Sequence, residues 1–147
     1  MSDLGARFVA CRRWRWMVGM RATGINGNNR KCSGVVTEIV NGRPNVVTSA
    51  GDDVLLIGAE PDTSAPSTLG CILALVREAW GRPTMHLTQF HTNVRDDSGA
   101  FTVPAVWWAF TDGEQPGHML MELPDRRRYL AGATEAEAML CALELAP

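Results

Sequence analysis

Apolar positions change their spacing twice along the first eighty residues, and each change marks an element. Leu4, Phe8 and Cys11 recur at three- and four-residue steps behind Ser2 or Asp3, which predicts a short opening helix with a capping residue before it. From Trp14 the period becomes two. Trp14, Trp16 and Val18 alternate with Arg13, Arg15 and Met17, as in a strand with one buried face. Val35 to Val40 and Val46 to Ser49 read as two further strands joined by the turn signal Asn41-Gly42-Arg43-Pro44, and Val54 to Ile57 extends or follows that pair. The helical spacing then returns: Leu69, Ile72, Leu73, Val76 and Trp80 build one apolar stripe over Pro66 to Trp80. Ser64 or Ser67 is placed to cap this helix, Pro66 suits its first turn, Gly81 stops it and Pro83 prevents its resumption.

In the second half, strands are predicted over Thr84 to Thr92, Val103 to Phe110 and Met119 to Leu123, with a last short one over Arg127 to Leu130. Gly and Asp cluster between them, in Asp96-Asp97-Ser98-Gly99 and Asp112-Gly113-Glu114. Thr134 and Glu137 form a T-x-x-E capping box ahead of a closing helix carrying Ala138, Leu140, Cys141, Leu143 and Leu145. The Gly- and Asn-rich segment Thr23 to Ser33, which holds Arg30 and Lys31, reads as a mobile loop of the kind that carries binding residues. Runs of strands between helices predict an α+β fold: an antiparallel sheet with helices packed on it, about three helices and five to seven strands, in a single domain over residues 1–147.

Composition narrows the class little. Apolar residues make up 46% and charged residues 20% of the 147, ordinary values for a globular chain. The longest uncharged apolar run, Leu69 to Val76, is far below the roughly 20 residues that span a bilayer. Asp3 comes early and no apolar run follows it, so a signal peptide is not expected and the cytosol is the default location. Cys11, Cys32, Cys71 and Cys141 are single and widely spaced, which predicts packed thiols rather than a disulfide frame or metal ligands.

Charge changes the picture more. Residues 1–31 carry seven basic side chains and one acidic one, and the rest carry seven basic and fifteen acidic, so +6 faces −8 within a net charge of −2. Such lopsidedness points to an anionic partner more than to a reaction. The basic stretch Arg12-Arg13-Trp14-Arg15-Trp16 interleaves cations with indoles. A guanidinium fork matches phosphate or carboxylate, and an indole stacks on a base. The plain alternative is tryptophans in the core and arginines in water. Arg126-Arg127-Arg128 is a second basic cluster whose plain reading is a solvated strand end.

Three stretches resemble a known group: Cys11 to Met17, Thr68 to Gly81, and the alanine-rich ending Ala133 to Glu144. Together they are similar to small accessory proteins of phages and prophages described as having an ABA-sandwich domain. The shared features are a short first helix, tryptophan strands, a central helix, a strand pair and an alanine-rich last helix. The resemblance implies a phage accessory gene working in the host cytosol, and no chemistry. Many such proteins interfere with host defence by masking a host protein or sequestering a signal nucleotide.

Catalytic patterns are sparse. His86 and Thr88, two apart on a strand, resemble one copy of the motif of two-histidine phosphoesterases, but His118 has no hydroxyl residue two positions on. His86 and His91 should point to opposite faces and not share a metal. Walker, G-x-S-x-G and G-x-G-x-x-G patterns are absent, and Asp52-Asp53 and Asp96-Asp97 lack calcium-loop spacing. Trp107 and Trp108 are neighbours on a strand, so one should be core and the other a contact residue. The expectation is therefore a non-enzymatic, cofactor-free binding protein whose ligand site draws on Arg12, Arg13, Arg15, Arg30, Lys31 and Trp108. Its partner would be a nucleotide-like anion or an acidic host protein surface. Duplex DNA is disfavoured by a sequence pI near 5.9, no membrane partner is expected, and a homo-oligomer stays open. Two alternatives stand beside it: a phosphodiesterase-like enzyme using His86 and Thr88, and a virion structural or assembly protein.

Overall fold

A computed structural model describes residues 3–91, 97–100, 106–112 and 130–147. The fold class is the expected one: the described residues form three helices and eight strands in two antiparallel sheets, an α+β arrangement. Compactness divides the chain into two units, Met1–Leu75 and Val76–Pro147.

The first unit holds α1 (Asp3–Ala10), β1 (Arg21–Ile25), β2 (Lys31–Val40), β3 (Arg43–Val47), β4 (Asp53–Leu55), β5 (Ile57–Pro61) and most of α2 (Pro66–Trp80). Its sheet has the order β4-β3-β2-β1-β5. The two outermost strands are thus consecutive in the chain, with only Leu56 between them. In a flat sheet they would lie four strand spacings, about 19 Å, apart. Two residue steps cover at most about 7 Å. The sheet must therefore roll up on itself, and β3 does come close to β5.

The rolled sheet encloses the first core. Val36 faces Val46, and Val46 faces Val54, across the β2, β3 and β4 ladder. Met20 joins the same layer, since the Val36 N–H donates to its carbonyl at 2.8 Å. Met20, Ala22, Val36, Val46 and Leu56 are each at most 1% exposed. Bulges between Thr23 and Ile25 and between Val36 and Glu38 supply the bends that closure needs. At Gly34 the backbone of β3 passes so close that a Cβ would sit 2.2 Å from the Val47 carbonyl oxygen. The Asn41-Gly42 turn forms as its sequence predicts, with φ of 50° and 77°, the left-handed pair of a tight hairpin. Gly5 lets α1 lie against β5, where a Cβ would come 3.1 Å from the Glu60 carboxylate. Thr68 on α2 is fully buried, and its hydroxyl accepts the Arg21 N–H at 2.9 Å.

Three expectations are corrected here. Residues 14–18 form no strand: Trp14 N–H closes a turn on the Cys11 carbonyl, Met20 N–H closes another on Met17, and ladder pairing starts only at Gly19 and Met20. The segment 23–33 is a hairpin of β1 and β2, not a loop throughout. Its tip is fixed by Asn26, whose side-chain oxygen accepts the N–H groups of Asn28 at 2.9 Å and Arg30 at 3.0 Å. Ser64 does not cap α2; its hydroxyl donates to Asp62 at 2.6 Å.

The second unit holds the end of α2, β6 (Met85–His91), β7 (Val106–Asp112), β8 (Ala131–Gly132) and α3 (Glu135–Glu144), with the sheet order β6-β7-β8. Gly81, at φ 62°, ends α2 through bonds from Arg82 N–H to the Arg77 carbonyl and from Gly81 N–H to Glu78. The Trp80 indole N–H donates to the Ala142 carbonyl at 2.8 Å, tying that end to α3. Thr134 caps α3 by accepting the Glu137 N–H at 3.2 Å. Glu137 reaches back to the Ala133 N–H at 3.0 Å, one residue earlier than the capping box predicts. Gly132 passes under α3, where a Cβ would meet the Ala138 nitrogen at 2.6 Å. Gly132 pairs with Trp108, so α3 covers the sheet face bearing Trp108 and Phe110. The strand expected over Met119 to Leu123 and the cluster Arg126 to Arg128 lie outside the described residues.

Gly34→Ala should destabilise the protein by about 3 kcal/mol, since backbone rather than a flexible side chain must give way. Gly27→Ala, with open space around the added methyl, should change stability by about 0.5 kcal/mol or less. Urea midpoints of the two variants check this.

Candidate functional site

Two clusters carry chemistry, one in each unit. The first is the turn between α1 and β1. Phe8 is fully buried and packs on Trp14 with ring centroids 5.8 Å apart, and Trp14 meets Trp16 edge-on at 5.3 Å and 84°. These contacts drive Trp16 into the core and leave Trp14 half-buried, while Arg12, Arg13 and Arg15 are exposed. The alternation read from the sequence thus holds from Arg13 to Trp16 without a strand, because ring packing rather than a hydrogen-bonded ladder sets it, and fails beyond, where Val18 is 61% exposed and Met17 half-buried. The Trp14 indole N–H is buried and meets no acceptor among the described residues. Such a donor costs about 1–3 kcal/mol unless water or a ligand completes it.

The other expected residues stand elsewhere. Arg30 and Lys31 are exposed at the tip of the β1–β2 hairpin, whereas the arginine turn leads into the opposite end of β1. Trp108 is half-buried in the second unit, on the face that α3 covers. Trp107 faces the other way and stacks on its cross-strand partner Phe90 at 4.7 Å and 22°. Neither tryptophan is fully core or fully exposed, because each shares its face with other large groups.

The second cluster lies on the Trp107 face. Register puts His86 opposite Thr111 and Thr88 opposite Ala109. His86 Nδ1 lies 3.3 Å from the Thr84 carbonyl oxygen, which can only accept, so this nitrogen carries the proton. Nε2 is then the acceptor and takes the Thr111 hydroxyl at 3.0 Å. With its proton so committed, Thr111 accepts the Thr88 hydroxyl at 2.8 Å. Thr111 is 0% exposed, and these bonds satisfy a hydroxyl that burial would otherwise penalise. The sequence placed His86 and Thr88 on one face; Thr111, the link between them, was missed because its partnership depends on strand register. His91 is on the opposite face, as the spacing predicts, and His118 lies outside the described residues.

All four cysteines are unbridged and half-buried. Cys71 on α2 directs its thiol to the Val18 carbonyl at 3.7 Å, and burial pushes the thiol above its ordinary range. Among the described residues no three His, Cys, Asp or Glu side chains come together as a metal site, and no helix is long and apolar enough to cross a membrane. Comparison with protein-family models, with curated proteins and with solved structures gives no match.

Since the thiolate is the nucleophile, Cys71 should react slowly with iodoacetamide near neutral pH and faster as the pH rises above its raised titration range. Peptide mass mapping of a timed alkylation should show Cys71 lagging well behind the same peptide in denaturant. Equal rates in both states would mean that burial does not hold the proton.

Proposed function

We propose that this chain acts by binding an anion through the turn that carries Arg12, Arg13 and Arg15. The observation supporting the reading is the exposure of three guanidinium groups within four consecutive residues, on a turn held by the Phe8, Trp14 and Trp16 rings. A guanidinium is a planar fork of donors that fits phosphate and carboxylate oxygens two at a time. Ring packing beneath the turn lowers the ordering cost of presenting those donors. Arg30 and Lys31 add positive potential from the hairpin tip and would act on approach rather than in contact.

A nucleotide-like signal and an acidic protein surface both present such oxygens. In the phage setting that the sequence resemblance implies, holding either one is counter-defence by sequestration or masking. Sequestration requires affinity and no reaction. Trp108 lies in the other unit, and this reading does not draw on it.

Native mass spectrometry of the protein, incubated with a deproteinised, nuclease-treated lysate of defence-active bacteria, should show a small adduct that is released intact on denaturation. Arg12→Gln, Arg13→Gln and Arg15→Gln should each weaken its binding by about tenfold, as expected for a charge-assisted hydrogen bond. The affinity should also fall as salt is raised. An acidic protein recovered with wild type and lost with the triple variant would identify the second occupant. Binding untouched in the triple variant sinks the reading.

A further inference from the structure

The strongest constellation that anion binding leaves unused is the hydrogen-bonded series Thr88, Thr111, His86 on the Trp107 face of the second sheet. We propose that it is a proton relay that activates the Thr88 hydroxyl as a nucleophile toward carboxylic esters.

The direction of the relay follows from the acceptors. The Thr84 carbonyl fixes the His86 proton on Nδ1, so Nε2 offers its lone pair to Thr111 at 3.0 Å. Thr111 in turn accepts from Thr88 at 2.8 Å. Both distances are those of a nucleophile in reach of its base, and a third group orients that base. Thr111 is fully buried and cannot meet substrate, so it is a positioning residue, while half-buried Thr88 ends the series. A valine at 111 would fill the same space without a hydroxyl to satisfy. The chain instead keeps a buried hydroxyl that joins a second hydroxyl to an imidazole.

The rest of the face indicates the substrate class. Among the described strand residues it carries Phe90, Trp107, Ala109 and Ala131 beside the three relay residues. A neutral ester with an apolar acyl group finds the stacked Phe90 and Trp107 rings. This chemistry differs from that of the arginine turn.

The step balances without a co-reactant. Thr88 Oγ bonds to the ester carbonyl carbon as its proton passes to Thr111 and the Thr111 proton passes to His86 Nε2. The tetrahedral adduct expels the alcoholate, which takes a proton from solvent and leaves as the alcohol, while His86 gives up its added proton to solvent. Water then adds to the acyl-Thr88 carbon and loses a proton to solvent, and the adduct releases the carboxylic acid as Thr88 Oγ regains its proton.

Incubation with p-nitrophenyl butyrate, acid quenching and peptide mass mapping test this. A butyryl group should appear on Thr88, and bis-p-nitrophenyl phosphate should give no adduct. Thr88→Val should abolish the adduct and Thr88→Ser should retain it. His86→Gln should slow acylation about 100-fold or more, the scale of a lost general base. Thr111→Val should slow it comparably, and Thr111→Ser should restore it, which a purely structural role for the residue would not require. Circular dichroism verifies that the variants fold. Absence of an adduct on Thr88, or an adduct formed equally fast in folded Thr111→Val and His86→Gln, overturns the proposal. Neither result bears on the arginine turn, which this assay does not read.

Discussion

Leu56 is the residue on which the first unit turns. It is the single step between a strand at one edge of the sheet and a strand at the other. A polypeptide cannot cross the width of a flat five-stranded sheet in one residue, so the sheet closes. Closure accounts for much else. It brings Leu56 to zero exposure inside the roll, requires the two bulges, and drives strands so close that only glycine fits at position 34.

The arginine turn depends on that closure indirectly. Its backbone leads into the start of β1, which is held on one side by Val36 and on the other by Asp62 and Thr68. With its end fixed there, the turn folds its two indoles toward Phe8 and leaves its guanidinium groups outside. Apolar burial decides which side chains go in, and the arginines occupy the remaining directions. A binding surface made this way is a by-product of core packing, which is why its cations alternate with rings.

The second unit solves a different problem. One face of its sheet is closed by α3, whose small residues Ala136, Ala138 and Ala142 allow close approach over Gly132. The other face accepts polar groups at its buried end and settles them through one another: imidazole, hydroxyl, hydroxyl. Mutual satisfaction keeps the cost of burial low and also makes the series directional, because a carbonyl at one end can only accept. Directionality is what a relay requires, so the stability argument and the chemical one rest on the same three bonds.

Local signals in the sequence were enough to place the helices. The stripe from Leu69 to Trp80, the stop at Gly81 and the cap at Thr134 are set by residues within a turn of each other, and each formed where its pattern put it. The Asn41-Gly42 hairpin is local in the same sense. The alternation of tryptophan and arginine correctly separated inside from outside, yet it misled about strand structure, since a two-residue period also arises where rings pack on a helix end. The Gly- and Asn-rich segment hid a hairpin because glycine composition argues for a loop, while Gly24 is required by the close pass of β5 and Gly34 by that of β3. Closure through Leu56, the pairing of His86 with Thr111, and the placing of the arginine turn and Trp108 in different units all depend on contacts between residues far apart in the chain. One sequence read along its length carries periodicity and caps, but register and closure come from which distant strands pair, and only the folded chain decides that.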